Sequence, residues 1–456
     1  MAKTHRKALY RDLVSSPLVR AVEAATTDAD RAAAINTLIA VCRAGNLAAS
    51  PIYSREIIPI GSPMEKWMVE FKRHSTIPAE LAFWVPLQLI GHYLMLKGAR
   101  VDLAPARSGA LKYLYTNTYV LHCGDHGVGK GVVEDLTWES LGVSCDRVGR
   151  IGSQEAFLLE LQAHDGKPLI QSLDEWPIFW LALKTDPSQG EMLTAYLRAF
   201  RQQRCELKYK SAHYKCETPL LTVMGFAQPK RLFDVLQPED YSCGFVRRHL
   251  ITFSPSVKLT MADQHKYDMQ VVADDLAKAG VVQRWREHVA TTPLHRDYTI
   301  DSGATDYMRW HVLKAGIDLG LEAGYITTAL YTARKFALIY HYLLGETGAI
   351  IGRTAVEHAV ALTKLTLHDL QYLMDEGRRS AVSKLLEEAI QLRKDIESGA
   401  KKGRFDARRL MQNLHFEDVQ TAHLIYKIAA AADLSDDSTT KVVEMSRADE
   451  FLTRFG

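Results

Sequence analysis

Residues His122 to Leu136, HCGDHGVGKGVVEDL, set Gly124, Gly127, Gly129 and Gly131 around Lys130. Glycines let backbone N–H groups turn inward around a phosphate, and a lysine at the start of the next helix reaches the terminal oxygens. The spacing G-x-x-x-x-G-K is met from Gly124 to Lys130, and the backbone of Gly127, Val128, Gly129, Gly131 and Val132 is available to the same anion. Gly131 stands where a Ser or Thr ordinarily follows and ligates Mg2+ directly, so water is left to fill that coordination position. The departure predicts nucleotide binding with weakened hydrolysis. The competing reading is a glycine-rich turn that only caps a helix.

In LIQSLDE a strand runs into the adjacent pair Asp174 and Glu175. An Asp there suits Mg2+ held through water, and a Glu suits the orientation or deprotonation of an attacking water. A solvated turn is the bland alternative, weakened because the pair follows a phosphate-type loop in the same chain. Arg247 and Arg248 in CGFVRRHLITF precede another strand, where a cation either reaches a neighbouring subunit's phosphate or pairs with local acids. Arg334 in TARKFALIYHY lies on a helix with an apolar face, as a second phosphate sensor or as a snorkelling rim residue. ELKYKSAHYKC alternates like a β-hairpin with Ser211 and Ala212 near its tip. It offers Lys208, Lys210, His213 and Lys215 to a nucleic-acid backbone, with Tyr209 or Tyr214 placed to stack on bases. A merely solvated basic face is equally consistent. Cys205, His213 and Cys216 supply three zinc-type ligands with no fourth at a recognisable spacing, which favours plain hairpin residues.

Four strands position these groups. TYVLHC ends at the glycine-rich loop, KPLIQSLDE at the carboxylates, TPLLTVMGFAQP at Gln228, and RHLITFSP follows the arginines. Alternating with helices, they predict a mainly parallel sheet in an α/β core over residues 76–256, and KGVVEDLTWESLG predicts a helix of about three turns. Pro229 is well placed to begin a further helix. Residues 1–75 read as a helical N-terminal region. From about 260 onward strand signals almost vanish, so 257–396 reads as a helical domain and the second half as all-helical. ESGAKKGRFDARR marks a linker near 397–405, followed to residue 456 by a small helical tail compatible with a winged helix.

A chain of 456 residues implies two or three domains, and 47% apolar with 24% charged residues is a globular composition. The formal charge of +2 supplies no global basic field, so any nucleic-acid surface must be built locally. The six cysteines form no C-x-x-C pair, which suits a reducing cytoplasm. The basic N-terminus lacks the apolar core of a secretion signal. The longest apolar run, ELAFWVPLQLIGHYLML, contains Gln88, His92 and Pro86 and falls short of a membrane span, so it reads as a buried helix in a cytoplasmic protein.

The ordered set YVLHCGDHGVGKG, GSQEAFLLELQ, LIQSLDEW, PLLTVMGFAQPKRL, GFVRRHLITFSP and TARKFALIYHYLLGETGAIIGRTAVEHAVAL resembles the P-loop proteins of phages and mobile elements that are related to ring-forming primase-helicases. The resemblance spans Pro78 to Leu370, about two thirds of the chain, and its specificity lies in the order of the set. It implies an AAA+-like P-loop NTPase core that assembles as a ring, commonly a hexamer, and moves DNA, in the first instance single-stranded, with ATP and Mg2+. Within it Lys130 is implied as the phosphate-binding lysine, Asp174 as the metal carboxylate and Glu175 as the water-activating one. Gln228 is implied as a polar sensor, and Arg248 matches the pattern G-[FL]-x-x-R-x-L that starts at Gly244. Residues 1–75 are too few for a polymerising primase domain. The expected function is an ATP-dependent helicase or translocase in phage or mobile-element replication, with the C-terminal tail as the candidate contact for a replication partner. The alternatives are a nucleotide-stabilised loader or assembly protein with little hydrolysis, and an ATPase module of an anti-phage defence system.

Overall fold

The computed structural model describes residues 52, 54–103, 112–124, 129–143, 146–185, 190–208, 213–237, 240, 241, 244–254, 266, 268–414 and 419–431. Two compact units are present. The larger comprises Leu47–Val235 and Tyr241–Leu373, and the smaller comprises Met1–Asn46, Leu236–Asp240 and Met374–Gly456. The boundaries expected at 75, 256 and 396 therefore do not coincide with the division: the sheet region and the helices that follow it, down to Leu373, fold as one body.

At the centre of the larger unit is a five-stranded sheet made of β3 (Tyr119–Cys123), β4 (Arg147–Val148), β5 (Pro168–Leu173), β8 (Leu220–Ala227) and β9 (His249–Phe253). The spatial order is β4-β5-β8-β3-β9, and every pairing is parallel. Parallel strands are covered on both faces, which is why β3 and β8 read as nearly unbroken apolar runs and are buried almost throughout. On one face lie α5 (Trp176–Thr185) and α6 (Gly190–Phe200). Trp176 seats against Gly225 of β8, where an added Cβ would come within 2.6 Å of its ring. Trp176, Trp180, Phe245 and His249 then stack into one aromatic cluster. On the other face is α2 (Ala79–Leu96), whose Gln88 Nε2 donates to the carbonyls of Thr118 and Val223 at 3.2 and 2.7 Å. Among the described residues α2 is the one helix long and apolar enough to cross a bilayer, and 89% of it is buried inside the protein.

Register sets where the strands stop. Cys123 pairs with Ala227 on one side and Phe253 on the other, and Leu173 pairs with Gly225. Four strands thus end together along one edge. The long connection β3–α3–β4, with α3 at Lys130–Leu141, carries the chain to the far side of the sheet, and β8 is then inserted between β5 and β3. Such a switch opens a crevice beyond the carboxyl ends of the strands.

The second half is not wholly helical. β10 (Asp297–Ile300) and β11 (Ile350–Ile351) join β1 (Arg100–Asp102) and β2 (Tyr113–Leu114) in a four-stranded sheet of order β11-β10-β1-β2. Strands of two to four residues are too short to establish a period of two, so nothing in the pattern announced them. Helix α11 (Ala323–Leu343) packs on β1 and β11 of this sheet, α10 (Ser302–Asp318) packs on α11, α8 (Met269–Lys278) and α9 (Val281–Thr291) pack on α3 and on Pro63–His74, and α12 runs from Arg353 to Glu397. In the smaller unit α13 (Ala407–Leu414) packs on α14 (Val419–Ala431), and Arg393 donates to the carbonyls of Ala429 and Ala430. The expected linker near 397–405 falls between α12 and α13. The tail past Ala431 lies outside the described residues, as does most of the expected N-terminal helical region, of which α1 (Pro63–His74) is described.

Candidate functional site

A cavity of about 530 Å³ opens at the strand-end edge. Cys123 and Gly124 after β3, Asp174 and Glu175 after β5, Ala227 and Gln228 after β8, and Ser254 after β9 all line it, together with the first turn of α3. The strand ends are tied to one another. Gly124 N–H donates to the carbonyl of Ala227 at 3.0 Å, and Ser254 N–H donates to that of Cys123 at 2.7 Å.

Gly129 is the residue before α3 and holds φ at 85°, the left-handed region. A Cβ there would lie 2.8 Å from Ile77 and 2.9 Å from Met269 Sδ, so both backbone and space call for glycine. Among the described residues no side chain caps the start of α3. Its first-turn N–H groups have no intrahelical acceptor and carry the positive end of the helix dipole toward the cavity. Gly129→Ala should cost about 2 kcal/mol, the left-handed penalty plus displacement of two packed side chains. Denaturant unfolding checks this, and an unchanged midpoint would show that the loop sits otherwise.

The Lys130 ammonium pairs with the Asp174 carboxylate and lies 4.0 Å from the centre of the Phe226 ring. Their side chains are 37% and 75% exposed, so the pair is screened and weak as a source of stability. Glu175 Oε2 is 3.4 Å from Nη1 of Arg231 on α7 (Pro229–Val235), the helix that Pro229 begins as expected. Gln228 is half-buried where β8 meets α7. One cation, two carboxylates, a carboxamide and an uncapped helix start thus face one space, an arrangement that can hold a polyanion and place a base near it. At Gly131 no atom of the described residues lies within 4 Å of an added Cβ. Gly127 and Val128 lie outside the described residues.

Several lining residues escaped the sequence reading: His122, Phe226, Ser254, Leu81 and Met269. His122 is 4% exposed and stacks on Phe226 with ring centres 5.0 Å apart, and among the described residues neither ring nitrogen has a hydrogen-bond partner. Burial first, and then the Lys130 charge, push its pKa down to about 3, so the imidazole is neutral. A histidine inside an apolar strand was the available signal.

The arginines separate. Arg247 packs against α11, its guanidinium 5.1 Å from the Tyr325 ring and occupying the space that a Cβ on Gly324 would need. Arg248 Nη1 donates to the carbonyl of Gly244 at 2.5 Å and lies 5.8 Å from the Phe200 ring. His249, the next residue, pairs with Tyr119 at the start of β3, so Arg248 sits at the edge of the sheet opposite the cavity. Arg334, expected as a phosphate sensor or a rim residue, is not among the residues that line the cavity. The adjacent Lys335 donates to the carbonyl of Asn117, ahead of β3, which places that turn of α11 toward the opposite edge. Burial and the charge of Arg309 push the Arg334 pKa down, and its guanidinium rests 5.7 Å from the Tyr331 ring.

β6 (Cys205–Lys208) and β7 (His213–Cys216) form the expected antiparallel hairpin, with Lys208 opposite His213. Lys208 is exposed, but acids accompany its neighbours. His213 Nε2 is 2.7 Å from Glu206, Lys215 pairs with Glu217, and the Tyr214 hydroxyl bonds Glu155. Lys210 and Tyr209 lie outside the described residues. Cys205 and Cys216 face each other as buried thiols with raised pKa values, and His213 pairs three positions further along. Among the described residues no three metal-ligating side chains converge, so the zinc trio does not assemble.

No protein-family model matches the chain, and no curated protein matches it significantly.

Proposed function

We propose that the cavity binds ATP with Mg2+ and hydrolyses it, and that the chain is a ring-forming DNA helicase or translocase with an AAA+-like core, serving replication of a phage or mobile element. The observation that carries this reading is the convergence of Lys130, Asp174, Glu175 and Gln228 at one strand-end edge, with Arg248 on the opposite edge. The volume of about 530 Å³ suits a nucleotide. Mg2+ fits the donor set: Asp174 offers an exposed carboxylate, and the space beside Gly131 leaves room for water ligands. Once bound with ATP, it would neutralise charge on the phosphates.

The protein's own groups divide the remaining work. The N–H groups at the start of α3 and the Lys130 ammonium hold the phosphates, exchanging part of the Lys130–Asp174 pair for phosphate contacts. Glu175 takes the proton of the attacking water, and Gln228, one strand closer to Lys130, orients it. Arg248, at the opposite end of the strands from its own cavity, would serve a neighbouring subunit's. The hairpin carries the DNA contact through Lys208 and Lys210, with His213 and Lys215 released from their acids as phosphates replace them. Turnover measured with and without single-stranded DNA tests the motor reading: stimulation supports it, and DNA-independent turnover contradicts it.

Gly131 favours a second reading, a nucleotide-stabilised assembly protein with little hydrolysis. Gly131→Ser separates the two. The open space admits the side chain without displacement, and serine costs a helix less than glycine does. Under the motor reading the variant should saturate at roughly tenfold lower Mg2+, the scale of one oriented metal contact, and turn over at least as fast. Unchanged Mg2+ dependence with no turnover in either protein would favour the assembly reading.

A further inference from the structure

Two features of the cavity, His122 and the space at Gly131, complement each other. His122 is a buried imidazole whose donor and acceptor find no partner among the described residues, an arrangement that is costly unless something in the site satisfies it. Gly131 leaves space where a coordinating hydroxyl would stand. Both line the same cavity, at the end where Lys130 pairs with Asp174 and lies over the Phe226 ring that His122 stacks upon. The stack fixes the plane of the imidazole, and Thr252 and Phe226 flank it on the neighbouring strands.

We infer that His122 is a positioning residue for metal-bound nucleotide. Its ring nitrogen accepts a hydrogen bond from the water that takes the place of the missing hydroxyl beside Gly131. A neutral imidazole suits this task, since it accepts from a metal-bound water without placing a second cation next to Lys130. The site thereby assembles in two pieces, a water and a distant histidine, what a single hydroxyl provides in the usual loop. The inference rests on the proposed nucleotide reading and deepens it.

The test is binding rather than turnover. A fluorescent ATP analogue is titrated into the full chain in EDTA and at graded Mg2+ concentrations. His122→Phe keeps a ring to stack on Phe226 and removes the nitrogens. It should leave affinity in EDTA unchanged and raise the Mg2+ needed for half-maximal binding by roughly 10-fold or more, the scale of a lost outer-shell partner. In the Gly131→Ser background, where the hydroxyl replaces the water, the same change should have less than about a twofold effect. An equal loss in both backgrounds, or a loss already present in EDTA, would overturn the role and leave His122 as packing. If His122→Phe does not fold, His122→Leu is read by the same criteria. Lys130→Ala, carried alongside, keeps the two claims apart: binding unaffected by that variant overturns the nucleotide reading itself, whereas binding that needs Lys130 but ignores His122 overturns only the water-holding role.

Discussion

Glu175→Gln is expected to bind ATP as tightly as the unchanged protein and to hydrolyse it roughly 10²–10⁴-fold more slowly, the contribution of a positioned general base. The expectation follows from where Glu175 is held. β5 delivers it to the cavity edge, and Trp176, the next residue, is locked against Gly225 of β8, so the backbone at this point is not free to relocate. Glutamine has the same shape and retains an oxygen for Arg231, now 3.4 Å from the carboxylate, so the fold and the phosphate contacts are left in place. What disappears is the group that, on the proposed reading, accepts the proton. Single-turnover phosphate release, read beside nucleotide binding, checks both halves of the expectation. Equal release by the variant would remove Glu175 from the chemistry.

Lys130→Ala is expected to weaken ATP binding on the order of 100-fold, about 3 kcal/mol, as a charge-assisted contact to phosphate is lost. The thermal midpoint should hardly move. Lys130 and Asp174 are both solvent-accessible, and exposed pairs contribute little to stability. The N–H groups at the start of α3 do not depend on the side chain and should leave a residual, weak affinity. Isothermal titration with ATP and a thermal scan of the same preparation separate the two effects. A large drop in stability with unchanged affinity would mean that the lysine holds the loop rather than the ligand.

The parts of this site that were legible in the sequence are those in which one local rule acts alone. A parallel strand buried on both faces reads as an apolar run, and glycine is needed at Gly129 by its own φ and its own close neighbours, so Gly129 and the carboxylates after β5 could be put at strand ends in advance. The position of Arg334 was not legible for a different reason. Helical periodicity says which face of α11 a residue occupies, but not toward which end of a sheet that turn will lie, and Lys335 shows that it lies toward Asn117. Arg247 and Arg248 are adjacent and chemically identical, yet one is absorbed by Gly324 and Tyr325 and the other by the Gly244 carbonyl four residues back and the Phe200 ring, and apart from Gly244 these contacts come from distant segments. His122 was hidden because a strand buried on both sides gives no alternation against which a polar residue stands out. The short strands β10 and β11 exist through pairing with β1, a non-local partner that no window of sequence contains.

The most direct test of the central claim is phosphate release from Mg2+-ATP by the purified full chain, measured beside Glu175→Gln at matched concentration. The account predicts steady release by the unchanged protein and release near the background rate by the variant, with both binding ATP. Release that is indistinguishable between the two, or a chain that binds no ATP at any Mg2+ concentration, would contradict it.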